Sequence, residues 1–271
     1  MGPATSDAPP SDLRIVLVQH DIAWEDKPTN QRRYDDLLAQ TASPGSLVVL
    51  PELCDVGFTM RADVAAEPSG VPWAVELAQR HQVWLQAGLA IREGSRTFNA
   101  ACIIAPSGSV IGVYRKTFLF SYGTETEHYA AGSGPIVVDV AGWKVAPFIC
   151  YDLRFPEVWR HAALAGAELF TLSANWPARR HAHWAALVRA RAIENQAFVA
   201  CCNRVGHDPA LTYDGGSALI DPMGDALVLG DDRCGALVAV ARRDALDRWR
   251  RDFGALRDLQ PSWLGRGDAR P

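Results

Sequence analysis

The chain has 271 residues, 48% of them hydrophobic and 21% charged, with a formal net charge of −4. This balance suits a globular protein, offers no basic field for nucleic acid, and contains no apolar run approaching the roughly 18 residues of a membrane span. Six cysteines without a secretory signal point to reduced thiols in a cytoplasm, not to a disulfide framework.

The opening MGPATSDAPPSD lacks a basic segment followed by an apolar one, so residues 1–11 are expected to be a disordered leader. Residues 12–255 show no shift of composition and no long linker, which favours a single domain, with 256–271 as a tail. LRIVLVQ (Leu13–Gln19) reads as a buried strand, and NQRRYDDLLAQTA (Asn30–Ala42) as a helix capped by Asn30. GSLVVLPE is a second buried strand, and GVPWAVELAQRH (Gly70–His81) a helix with proline in its first turn. VWLQAGLAIRE and TFNAACIIAPSGSVIGVYRK alternate apolar runs around a PSGS turn. The strand WKVAPFIC precedes the helix FPEVWRHAALAGA. The strand ELFTLSAN is followed by the helix HAHWAALVRARAIENQ, which is followed in turn by the strand AFVACCNRVG. A hairpin around DPMGD, the strand GALVAVAR and the helix RDALDRWRRDFG complete the order. Buried strands interleaved with helices imply an α/β fold. Two sheets packed face to face with helices outside, an α-β-β-α sandwich, fit this order; periodicity alone leaves a three-layer α/β/α arrangement open.

Three apolar runs end on reactive side chains. SLVVLPE ends on Glu52, VIGVYRK on Lys116 and KVAPFIC on Cys150. Strand ends lift side chains out of the packed layer while rigid backbone anchors them. A thiol with an ordinary pKa near 8.5 is mostly protonated at neutral pH. A carboxylate beside it can take its proton as general base, and an ammonium can hold the oxyanion formed when sulfur adds to a carbonyl or nitrile carbon. Taken singly, Glu52 reads as a turn residue, Lys116 as a solvated strand end and Cys150 as a small core hydrophobe. His181 and His183, in HAH, are not expected to ligate metal.

The flanking words change that weighing. VVLPELCDVGF, GVYRKTFLF and APFICYDLRFPEVWR, in this order, resemble the three signature blocks of the nitrilase (carbon–nitrogen hydrolase) superfamily, and LSANWP with ARAIENQAFVACCNRVG resembles its next block. The resemblance runs from about Leu13 to Arg242. It implies an α-β-β-α sandwich, no metal or organic cofactor, and a triad of Glu52 as base, Lys116 as oxyanion-side cation and Cys150 as nucleophile. The backbone N–H of Tyr151 would be a second oxyanion donor. TETEHYAAG resembles the ω-amidase-like branch and matches Glu125 to an auxiliary glutamate, with Glu127 as rival. A homodimer is the family expectation. Phe118 is a departure, since many relatives carry histidine there.

CYDLRFPE, SANWP and NRVG resemble bacterial amidases acting on ω-amides of dicarboxylic keto acids such as 2-oxoglutaramate. A carboxylate on such a substrate needs a cation, most naturally an arginine fork. Arg154 is one candidate, with an ion pair to Asp152 or a loop glutamate as its structural alternative, and Arg179 and Arg180, after NWP, are others. For Arg179 and Arg180 a solvated helix start is the better expectation. Among nearby aromatics, Phe58, Tyr122, Tyr151 and Trp176 are candidates to wall the pocket, with Tyr122 and Trp176 assigned to substrate. Nitriles, N-carbamoyl amines and deaminated glutathione remain alternative substrates. A redox-sensing thiol is the alternative of another class; both it and the enzyme lead to the expectation of a cysteine with lowered pKa.

Overall fold

The computed structural model describes residues 11–260. The expected leader lies outside the described residues apart from Ser11, and so does residue 261 onward of the expected tail. The elements run β1 (Leu13–Gln19), α1 (Lys27–Thr41), β2 (Leu47–Val49), α2 (Ala62–Ala65), α3 (Gly70–His81), β3 (Trp84–Glu93), β4 (Arg96–Ile104) and β5 (Val110–Arg115). Next come α4 (Glu125–His128), β6 (Val138–Val140), β7 (Trp143–Ile149), α5 (Pro156–Leu164), β8 (Leu169–Ala174) and α6 (His181–Asn195). The chain continues through β9 (Phe198–Asn203), β10 (Val205–His207), β11 (Thr212–Asp214), β12 (Ala218–Ile220), β13 (Ala226–Leu229), β14 (Gly235–Ala241) and α7 (Arg243–Asp252).

Two six-stranded sheets result, ordered β14-β1-β2-β3-β4-β5 and β13-β12-β9-β8-β7-β6. Side-chain alternation on β1 shows how they stack. Leu13, Ile15 and Leu17 pack with Val145, Leu169 and Phe198 of the other sheet. Val16 and Val18 point the other way, onto Tyr34 and Leu38 of α1 and a cluster that includes Leu77 of α3. The outer face of the second sheet buries Phe148 and Phe170 against Trp159 of α5 and Trp184 of α6. This is the α-β-β-α sandwich. Cys201 and Cys202, adjacent on β9, face opposite layers, as neighbours on a strand must: their thiols meet the carbonyls of Ala218 and Val18.

Each sheet has a parallel centre: β1, β2 and β3 in one, β7, β8 and β9 in the other. β5 is antiparallel to β4, which is antiparallel to β3, so β5 runs with the parallel strands. The chain after β2, β5, β7 and β8 therefore emerges at common sheet ends, and polar ties cross between the sheets there. Gln86 Nε2 donates to Ser173 Oγ at 2.9 Å, and Ser173 donates to the Leu50 carbonyl at 2.7 Å.

One local expectation is corrected. Asp26, not Asn30, caps α1 by accepting from Thr29 N. Proline at position 28 starts the helix earlier, because its missing N–H costs nothing in the first turn. Asn30 is buried, bonding Ala23 and the carbonyl of Asp55.

Candidate active site

Cys150 stands where β7 breaks into a single 3₁₀ turn, Cys150–Arg154, with φ +41°. A side chain in that region costs on the order of 1–3 kcal/mol and persists only where its surroundings enforce it. Asp152 supplies the enforcement. Its buried carboxylate accepts from Ile149 N (3.0 Å), Phe118 N (2.9 Å) and the Tyr114 hydroxyl (2.8 Å), and its carbonyl accepts from Trp159 Nε1. Burial pushes the Asp152 carboxyl up to about 7 against these donors. The turn holding Cys150 is thus tied to the segment on either side of Lys116. Among the described residues Arg154 makes no ion pair with Asp152, the structural alternative for it, since Asp152 is enclosed by those donors.

Glu52 follows β2 in a loop whose next residue, Leu53, also has positive φ. The loop presses against β3 at Gly88. A β-carbon there would lie 2.3 Å from the Pro51 carbonyl oxygen and 2.7 Å from Glu52 Cα. Only glycine permits that approach.

Glu52, Lys116 and Glu125 are fully buried, and Lys116 bonds both carboxylates. Lys116 Nζ donates to Glu52 Oε1 at 2.7 Å and to Glu125 Oε2 at 2.9 Å, with the Phe58 ring 5.2 Å away. Asn99 Nδ2 bridges the carboxylates, 2.7 Å from Glu52 Oε1 and 2.8 Å from Glu125 Oε1. Asn175 completes the cage: its backbone N–H donates to Glu52 Oε2 at 3.0 Å and its side chain to the Glu52 carbonyl at 2.7 Å. Burial pulls the Lys116 ammonium down, but Glu125 and Glu52 outweigh it and hold the pKa above the ordinary range. Glu125 also accepts from Phe120 N, whereas Glu127 is exposed, so Glu125 is the glutamate that reaches Lys116.

Glu52, Lys116 and Cys150 line one pocket of about 400 Å³, part of it open to solvent. Burial, then the Glu52 carboxylate, push the Cys150 thiol well above its usual range, against the pull of Lys116 and the Asn175 N–H. This corrects the expectation of a lowered pKa. A peroxide sensor relies on a standing thiolate; here the resting group is a thiol beside a carboxylate able to take its proton.

Tyr151, Arg154 and Trp176 also line the pocket. Arg154 lies 4.7 Å over the Trp176 ring, and each of its terminal nitrogens is 3.3 Å from His183 Nδ1. Tyr122 does not line it. Its side chain is 82% exposed, because the 3₁₀ turn Ser121–Gly123 carries it outward past Phe120. Phe118 stacks on Phe155 at 3.8 Å, which accounts for an apolar ring at that position. His181 pairs with Asp214. Sequence reasoning missed Asn99, Asn175, Phe120 and Tyr213, and it favoured solvent for Arg180, which lines the pocket. A lone asparagine in the apolar run TFNAACII was the available signal for Asn99; Tyr213 arrives from a distant hairpin and left none.

Comparison with known proteins follows the same lines. Residues 14–251 match the carbon–nitrogen hydrolase family. The chain is 38% identical to an omega-amidase of Escherichia coli, over 91% of this chain and 96% of that one. It is 36% identical to a 2-oxoglutaramate amidase of Bacillus subtilis, over 80% and 85%. Among solved structures, a CN-hydrolase superfamily protein of Xanthomonas campestris, with an arsenic adduct in its active site, superposes with a TM-score of 0.88 at 36% identity, covering 92% of this chain and 97% of that one.

Proposed function

The chain belongs to the carbon–nitrogen hydrolase family, and from that premise we propose that it hydrolyses the ω-amide of a small dicarboxylic or keto-dicarboxylic acid, 2-oxoglutaramate being the type, through a thioester on Cys150. The observation that carries this reading is the meeting of Glu52, Lys116 and Cys150 at one small pocket with a guanidinium at its side, Glu125 bonding Lys116 from behind. The amidase relatives support the choice of substrate.

Glu52 takes the Cys150 proton as sulfur adds to the amide carbon. The oxyanion is held by the Lys116 ammonium and the backbone N–H of Tyr151. Collapse returns the proton from Glu52 to the leaving nitrogen and expels ammonia. Water then adds to the thioester, giving its proton to Glu52, and the acid departs as sulfur is reprotonated. Glu125 keeps Lys116 aligned, and Arg154 faces the distal carboxylate. The reading extends to a cytoplasmic homodimer, as reduced thiols and the family resemblance imply.

Ammonia release measured over 2-oxoglutaramate, succinamate, a simple nitrile and an N-carbamoyl amine tests the proposal. The acid amides should be turned over with the highest kcat/KM. Preference for the nitrile or the carbamoyl compound overturns it.

A further inference from the structure

The outer part of the pocket holds positive charge that no carboxylate among the described residues answers. Arg154 and Arg180 both line it, and among the described residues neither makes an ion pair. The N–H groups of Arg154 are partly taken by His183 Nδ1. Arg180 differs. Its guanidinium lies 5.3 Å from the centre of the Phe120 ring, and among the described residues no protein acceptor is hydrogen-bonded to it. Its backbone is held twice, the carbonyl accepting from Trp176 Nε1 at 2.8 Å and the N–H donating to the Pro177 carbonyl at 3.0 Å, which fixes the residue at the pocket wall. Burial, with Arg179 and Arg154 behind it, holds the Arg180 pKa below the ordinary range.

Half-burying a guanidinium beside another cation costs free energy unless something answers it. At the reacting end two carboxylates face one ammonium, an excess of one negative charge. The pocket therefore carries both signs, two carboxylates around one ammonium at the reacting end and two guanidinium groups on its wall. A ligand that complements it is neutral at the reacting carbon and anionic at the far end.

We infer that Arg180 sets specificity: its free fork takes the distal carboxylate of the substrate, with Arg154 as the second cation. The inference rests on the acid-amide reading above and assigns its selectivity to a residue that the sequence placed in solvent. Two cations at that end also repel an ammonium beside the carboxylate. Amides of oxo acids or unsubstituted acids should therefore outcompete the amide of the corresponding amino acid.

Protection of Cys150 from iodoacetamide tests this without turnover. The probe is 5-oxohexanoate, an acid whose ketone replaces the amide; 2-hexanone is its neutral counterpart. The acid should protect the wild-type protein. Arg180→Met should raise the half-protecting concentration at least about 30-fold, in keeping with loss of a charge-assisted fork. Arg180→Lys should fall between, and Arg179→Met, altering an exposed arginine outside the pocket, should stay within about twofold of wild type, as a surface change does. Protection by 2-hexanone should be the same in all four proteins. Unchanged protection of Arg180→Met by the acid overturns the inference, as does an equal loss with 2-hexanone. Should the acid protect through Arg180 while no acid amide is hydrolysed, the carboxylate site stands and the amidase reading falls.

Discussion

The Lys116 ammonium lies 2.7 Å from Glu52 Oε1, and neither side chain has any exposure to solvent. Removing one partner of a buried pair leaves a charge without its answer and costs several kcal/mol. Here Glu125 shares the ammonium, so the cluster can lose the Glu52 charge and keep Lys116 paired.

Glu52→Gln should therefore fold and fail at chemistry. The amide has nearly the shape of the carboxylate but cannot accept the thiol proton. kcat/KM for the acid amide should drop by roughly 10²–10⁴, the usual worth of a general base, while the thermal midpoint falls but the protein stays folded, because the amide nitrogen must face a buried donor. Ammonia-release kinetics beside a thermal melt check both halves.

The two neighbouring glutamates should separate cleanly. Glu125→Gln takes a carboxylate from Lys116, Asn99 and Phe120 N, and activity should fall at least about 100-fold. Glu127→Gln changes an exposed side chain and should leave the rate within about twofold. Equal loss in the two variants would contradict the placement of Glu125 at the ammonium.

Gly88→Ala should act on Glu52 from outside the pocket. The added carbon would meet backbone atoms of Pro51 and Glu52, not a flexible side chain, so the loop must shift. Displacing a catalytic group by about 1 Å can cost on the order of 10²-fold. Steady-state kinetics should show reduced kcat, while circular dichroism reports an intact fold.

Asp55 predicts a pH dependence of stability. Burial raises its carboxyl from 3.8 to about 6 despite Lys27 at 3.6 Å, and neither of its oxygens has a hydrogen-bond partner among the described residues. Well below pH 3.8 the group is neutral in the folded and unfolded chain alike. Above pH 6 the folded protein holds a charge that the unfolded chain bears freely in water. Its contribution to stability therefore falls as pH rises between those values, by up to about 3 kcal/mol. Denaturant unfolding across that window should show wild type losing stability relative to Asp55→Asn; parallel curves would contradict it.

Residues whose burial and period are local features were legible in the sequence. The apolar runs of β1, β7 and β9 are strands, Pro156 does open α5, and the reactive residues stand past their strand ends because the apolar pattern stops there. What sequence could not show depended on neighbours remote in the chain. Asn99 and Asn175 look like ordinary polar residues until the sheets stack and bring them to Glu52. Arg179 and Arg180 are indistinguishable as letters. One faces solvent and the other the pocket, because the turn before α6 is pinned by the Trp176 indole. Tyr122 was misplaced for the converse reason: proximity in sequence to Lys116 does not survive a 3₁₀ turn. The state of the thiol was also hidden, since burial outweighs a nearby ammonium only once the layers close over it.

The most direct test of the account is acid-quenched peptide mapping by mass spectrometry during turnover of an acid amide. The account predicts an acyl group, the substrate less ammonia, on the peptide bearing Cys150, and no ammonia release by Cys150→Ala. An acyl group carried on another residue, or ammonia released at an undiminished rate by Cys150→Ala, would contradict it.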